Sequence, residues 1–164
     1  MTDSITRILV PVDFSAHSDR AVRYAATLAG QVGASVELLH VVEDPLKAST
    51  FASEIYVPNL PEILESAIAS ATDRLAWTRT TMFGHGADVT SAVVVGHPAH
   101  DIAAHAVAGH FDLIVMGTHG RTGLSHMLMG SVAERVVRAA SCAVLTVRGG
   151  DAPAREPAAP TKAA

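Results

Sequence analysis

The chain has 164 residues, 49% of them hydrophobic and only 4% aromatic, with 12 Lys and Arg against 16 Asp and Glu for a formal net charge of -4. That length carries one domain with an aliphatic core and is short for two, and the acidic balance excludes the basic stripe of a dedicated nucleic-acid binder. A single cysteine, Cys142, excludes an internal disulfide and a cysteine metal cluster and points to a reducing compartment.

The opening Met1-Thr2-Asp3-Ser4-Ile5-Thr6-Arg7 has no basic segment leading into a long apolar run, so no secretory signal is expected. Mean hydropathy is +0.29, yet no apolar stretch approaches the roughly 20 residues of a membrane helix. The expected location is the cytoplasm, away from any membrane. Ile8-Leu9-Val10-Pro11-Val12, stopped by Asp13, reads as the first strand. Over residues 18–32, Ala21, Val22, Ala25, Leu28, Ala29 and Val32 recur at helical spacing, and Gly33 ends that helix. A second strand covers residues 35–42. Residues 43–61 carry Pro45, Pro58 and Pro61 without a clean period and read as a long loop, positioned to fold over a ligand.

A second helix is predicted over residues 62–82, with Ile63, Leu64, Ala67, Ile68, Ala71, Leu75 and Trp77 as its core stripe. A third strand covers 89–95, punctuated by Gly96-His97-Pro98, and a third helix covers 99–108, closed by Gly109. Phe111-Asp112-Leu113-Ile114-Val115-Met116 is the fourth strand, followed by a glycine-bearing loop. A fourth helix covers 131–140 and a fifth strand 142–147. Residues 149–164, rich in Ala, Pro and Gly, have little to bury and are expected to be disordered. Aliphatic strands alternating with helices predict one α/β domain over residues 1–148, an open parallel sheet with helices on both faces, Rossmann-like. Ligands of such sheets sit beyond the carboxyl ends of the strands, where the strand order reverses.

Gly117-Thr118-His119-Gly120-Arg121 and Gly130-Ser131 lie between the fourth strand and a helix. Glycine lets backbone approach an anion, and the first N–H groups of a helix lack partners, so a phosphate is the expected ligand. Ser131-Val132-Ala133-Glu134 also fits a capping box, which alone accounts for Ser131. Asp13, directly after the first strand, suits either the hydroxyls of a ribose or a helix N-cap; the glycine loop favours ribose. Arg121 suits a terminal phosphate or plain solvation, and His119 a phosphate contact or an ordinary loop position. His97, His100, His105 and His110 do not converge as metal ligands at their spacing, so no protein-held metal is expected. Cys142 reads as a small core residue.

Gly117-x2-Gly120-x9-Gly130-Ser131 after an apolar strand, with Val10-Pro11-Val12-Asp13 near the start, resembles the ATP-binding class of the universal stress protein family. The resemblance runs from about Ile5 to Arg148; Ala143 departs from it, standing where members commonly have proline. It implies a sheet of order 3-2-1-4-5 and a homodimer paired through the fifth strand, residues 142–147. It also implies an ATP site, with Mg2+ on the phosphates. Pro11, Val12 and Asp13 would lie at that site, with Asp13 on the ribose and the backbone near Val41 at the adenine. Met116, Gly117 and Thr118 would lie near the sugar. His119, Gly120, Arg121, Gly130, Ser131, Val132 and Ala133 would lie along the phosphates.

Three functions fit: a nucleotide-dependent regulator acting on an unknown protein partner, a slow ATPase or other nucleotide-processing enzyme, and an interaction module with a vestigial pocket. The loop lacks the Gly-Lys-Ser/Thr of a P-loop, and no carboxylate lies near it in sequence to orient water, so no catalytic residue is predicted.

Overall fold

The computed structural model describes residues 4–44, 58–118 and 129–148. Five strands, β1 (Arg7–Pro11), β2 (Ser35–Glu43), β3 (Val89–Gly96), β4 (Leu113–Gly117) and β5 (Ala143–Val147), form one parallel sheet in the order β3-β2-β1-β4-β5. The helices are α1 (Ala16–Val32), α2 (Leu60–Met82), α3 (Pro98–Ala108) and α4 (Ser131–Ala139). The α/β class and the strand order are those expected above, and each boundary agrees within about two residues.

Side chains alternate across a strand, and the central strands use both faces. Ile8, Val10 and Val12 join Val36, Leu38, Leu113 and Val115 in one cluster with α1 residues Ala21, Val22, Ala25 and Ala29 and with Leu75 of α2. Leu9, Leu39, Val41, Ile114 and Met116 form the other cluster with Ala99, Ile102 and Ala106 of α3 and with Ala133 and Val136 of α4. Two covered faces explain why β1 and β4 lack polar alternation. Cys142 packs half-buried against the second cluster, and burial pushes its thiol pKa up.

Helix ends follow local chemistry. Ser15 caps α1, its side chain accepting from the Ser18 N–H at 3.2 Å, and Gly33 closes it at φ +73, a left-handed conformation that glycine adopts without strain. α3 starts one residue earlier than expected, at Pro98, because the fixed φ of proline suits a first helical position. The expected core stripe of α2 is narrower than its sequence suggests. Ala71, Leu75 and Thr78 are its buried residues, whereas Trp77 is 62% exposed and Ile63 53%. Trp77 is thus corrected from core to surface: it lies about 200° around the helix from Leu75.

Candidate functional site

β1 and β4 are neighbours, and the chain leaves them toward opposite sides of the sheet, so the crevice beyond their carboxyl ends is the switch point. Beyond β1, the Asp13 carboxylate accepts from the Ser15 N–H at 3.0 Å and from the Ser15 hydroxyl at 2.6 Å. Asp13 is therefore not the N-cap. It orients the residue that is, and it remains partly exposed at the crevice. Beyond β4, the Thr118 N–H donates to the Val147 carbonyl at 3.0 Å and the Thr118 carbonyl accepts from the Gly130 N–H at 2.7 Å. These bonds bring the two ends of the glycine loop together at the sheet. His119, Gly120 and Arg121 lie outside the described residues.

α4 starts differently from expectation. Gly130 is its N-cap, with no side-chain cap, and Ser131 is the first helical residue. The capping box is not formed: it requires Ser131 at the cap, one position before the place it occupies. The Glu134 N–H is already engaged by the Gly130 carbonyl at 2.9 Å. The N–H groups of Ser131, Val132 and Ala133 consequently have no acceptor within the helix, and they carry the positive end of its dipole. Gly117 has a packing reason to be glycine. A Cβ there would stand 3.1 Å from the carbonyl carbon and oxygen of His17, so a side chain would push α1 away.

A cleft of about 810 Å3 joins these pieces. Pro11, Val12, Asp13, Val41, Met116, Gly117, Thr118, Gly130, Ser131, Val132 and Ala133 all line it. Every predicted site residue within the described chain is thus brought to one cavity. Its size is that of a small-molecule site.

The cavity also contains residues that sequence reasoning passed over. His40, 92% buried, donates from Nδ1 to the Val12 carbonyl at 2.6 Å, which fixes the end of β1 against β2. The Phe14 ring sits 4.6 Å from the His40 ring, and the Arg74 guanidinium lies 3.9 Å over Phe14. Phe14 holds this position at φ +63, a costly conformation for an aromatic residue. His97 also lines the cleft, and its buried Nδ1 has no hydrogen-bond partner among the described residues. A histidine inside the apolar second strand was a readable sign for His40. The spacing Ala67, Ser70, Ala71 and Arg74 marks one face of α2. Nothing local distinguishes Phe14.

Two of the other histidines near α3 have separate partners. His100 meets Asp101 at 2.8 Å, His105 meets Glu37 at 2.5 Å, and His110 takes φ +50 after the helix. No set of three or more His, Cys, Asp or Glu placed to hold a metal is found among the described residues. At the far end of the sheet the Asp112 carboxylate accepts from the Thr6 N–H at 2.8 Å, the Thr6 hydroxyl at 2.7 Å and the Arg7 N–H at 2.9 Å. The Thr6 amide, then its hydroxyl and the Arg7 amide, hold this carboxyl below the usual carboxylate range.

Comparison with known proteins agrees with this architecture. Residues 4–148 match the Universal stress protein family. Universal stress protein MJ0531 of Methanocaldococcus jannaschii is 33% identical over 142 residues, covering 87% of this chain and 81% of that protein. Universal stress protein YxiE of Bacillus subtilis is 31% identical over 145 residues, covering 87% and 98%. Among solved structures, hypothetical protein MJ0577 superimposes with a TM-score of 0.77 at 27% identity over 90% of this chain and 99% of that one. A universal stress protein in complex with cAMP superimposes with a TM-score of 0.57 at 25% identity, covering 88% and 97%.

Proposed function

The chain belongs to the universal stress protein family, and from that premise we propose that it is an ATP-binding regulator working in the cytoplasm. The observation that carries this reading is the start of α4. Three successive N–H groups without helical acceptors line the same cleft as the Asp13 carboxylate. An anion donor set and a hydroxyl acceptor in one cavity suit a phosphorylated ribonucleoside. That a similar protein has been solved with cAMP supports an adenine base.

On this reading the triphosphate lies along Gly130, Ser131, Val132 and Ala133. Asp13 takes the ribose, adenine lies toward Val41, and His119, Gly120 and Arg121 are assigned to the phosphates by the family resemblance alone. The residues fit such a ligand, because the cleft combines apolar walls at Val41, Ile102 and Met116 with polar groups at its ends. Magnesium on the phosphates would neutralise their charge. The protein's own part is to bind and orient the nucleotide. Asp13 already accepts two hydrogen bonds from Ser15, which suits an orienting carboxylate better than a general base, so turnover is expected to be slow.

The output of binding is a change in protein contacts. β5 is an edge strand carrying Val144, Leu145 and Val147, the kind of edge that is normally paired or protected. A homodimer through β5 would cover it, and the Thr118–Val147 bond links that strand to the loop beside the nucleotide. A regulatory protein partner would then read the loop or the dimer surface. The test is a calorimetric titration of Mg-ATP into nucleotide-stripped protein, with sedimentation in parallel. The expected result is saturable binding at about one nucleotide per chain and a dimer at micromolar concentration. A folded protein that takes up no adenine nucleotide would leave the cleft as the vestige of a site, and a monomer would remove the β5 interface.

A further inference from the structure

We infer that His97 selects the base of the nucleotide, accepting a hydrogen bond from the exocyclic amine of adenine. The inference rests on the reading of the cleft given above and adds to it the residue that discriminates between nucleobases.

His97 is the N-cap of α3, and its backbone is held on both sides. Its N–H donates to Asp101 Oδ2 at 2.6 Å, and its carbonyl accepts from the Asp101 N–H at 2.9 Å. Gly96 before it admits this arrangement, since a Cβ there would stand 1.8 Å from Asp101 Oδ2. The backbone is thus fixed, while Nδ1 of the ring is buried and has no hydrogen-bond partner among the described residues. Native proteins rarely leave such an atom unsatisfied, and one in the wall of a cleft points to a missing partner. Binding requires only a turn about Cβ–Cγ to present Nδ1 to the ligand.

Position identifies which part of the ligand that partner is. Glu43 pairs with Gly96 in the β2–β3 register, so His97 lies just past the carboxyl end of β2, beyond Val41 and Val42. In the sheet order, β3 lies three strand spacings from β4, roughly 14 Å. Phosphates held by α4, which follows β4, leave the heterocycle as the part that extends toward β3. The other two rings lining the cleft are already in contact with each other, and Arg74 covers Phe14. With the ring proton on Nε2, the imidazole accepts at Nδ1 from the amine of adenine, whereas guanine presents a carbonyl oxygen there and requires the other tautomer. The preference for adenine rests on that acceptor.

The test compares wild type, His97→Ala and His97→Asn, each verified as folded by thermal melting. Each is titrated with Mg-ATP, Mg-GTP and inorganic tripolyphosphate. Wild type should bind ATP about tenfold or more tighter than GTP. His97→Ala should lose about tenfold for ATP, close the gap to GTP and bind tripolyphosphate as wild type does. His97→Asn, whose amide oxygen can accept, should recover part of the preference. In wild type, the 15N resonance of His97 Nδ1 should shift with ATP and not with tripolyphosphate. A His97→Ala protein with the wild-type gap, or one equally weakened toward tripolyphosphate, would overturn the inference. Wild type that binds neither nucleotide would overturn the nucleotide reading itself, and this inference with it.

Discussion

At the amino end of the sheet the polar groups close on one another, whereas at the carboxyl end they face a cavity. Asp112 accepts from Thr6 and Arg7, the Arg7 guanidinium lies 4.7 Å over the Phe111 ring, and His105 meets Glu37. The cavity that Arg7, Glu37 and Phe111 line there is about 230 Å3, against about 810 Å3 at the other end. At the carboxyl end, α4 begins without a side-chain cap, Phe14 is held at positive φ, and the His97 ring has a nitrogen without a partner. The same strands thus produce an end whose polar groups satisfy one another and an end whose groups open onto a cavity. Backbone donors left without acceptors are destabilising unless something compensates. Such donors meet at that cavity, whereas positive φ occurs at both ends, at Phe14 and at His110.

The sharpest way to break this comparison is Gly130→Asp. A carboxylate at the α4 cap would repel phosphate and weaken Mg-ATP binding by about 100-fold or more, since facing like charges cost several kcal/mol. Asp is also a favoured N-cap, so the melting temperature should hold or rise. Calorimetry beside thermal melting separates the two effects, and unchanged ATP affinity would remove the phosphates from α4. Gly117→Ala should act on both ends of the argument. Its Cβ meets the His17 backbone at 3.1 Å, so overpacking should cost about 1–3 kcal/mol in denaturant unfolding. Nucleotide affinity should fall as well, and wild-type stability would contradict the close approach.

Arg74→Ala removes the cation over Phe14 and should reduce stability by about 0.5–1 kcal/mol. A change of only a few-fold in ATP affinity is expected if the stack is a wall of the site. Asp112→Asn is the smallest change and belongs to the other end alone. The folded carboxyl titrates below its ordinary range, so its stabilisation is complete above that range and fades as pH falls through the folded value. The variant should be weaker than wild type near neutrality by less than about 1 kcal/mol, because the site is exposed. The difference should vanish in acid, and ATP binding should not change. Urea melts at several pH values would show it.

How far the sequence revealed this depended on whether the signal was local. The strands showed as aliphatic runs and the helices as three- and four-residue spacing, because burial on both faces of a parallel sheet forces that pattern. Gly33 marked a helix end because glycine adopts positive φ freely, whereas Pro98 read as the close of β3 although its fixed φ opens α3. Asp13, Gly117, Gly130 and Ser131, which line one cleft, were legible because a strand end followed by a helix start is continuous in sequence; Val132 and Ala133 followed from the family resemblance. Ser131 misled, since Ser-x-x-Glu fits a capping box while the helix begins one residue earlier than that box requires, with Gly130 as the cap. Trp77 misled because size suggests burial, but its angle on α2 turns it outward. Phe14, Arg74 and His97 join the cleft only when β1, α2 and α3 come together, a meeting that no window of sequence contains.

The most direct test of the two-ended account is amide hydrogen exchange with and without saturating Mg-ATP, read residue by residue. The account predicts added protection at Ser131, Val132 and Ala133 and around Asp13 and Gly117, with no change at Thr6, Arg7 and Asp112. Equal protection at both ends, or none at the start of α4, would contradict it.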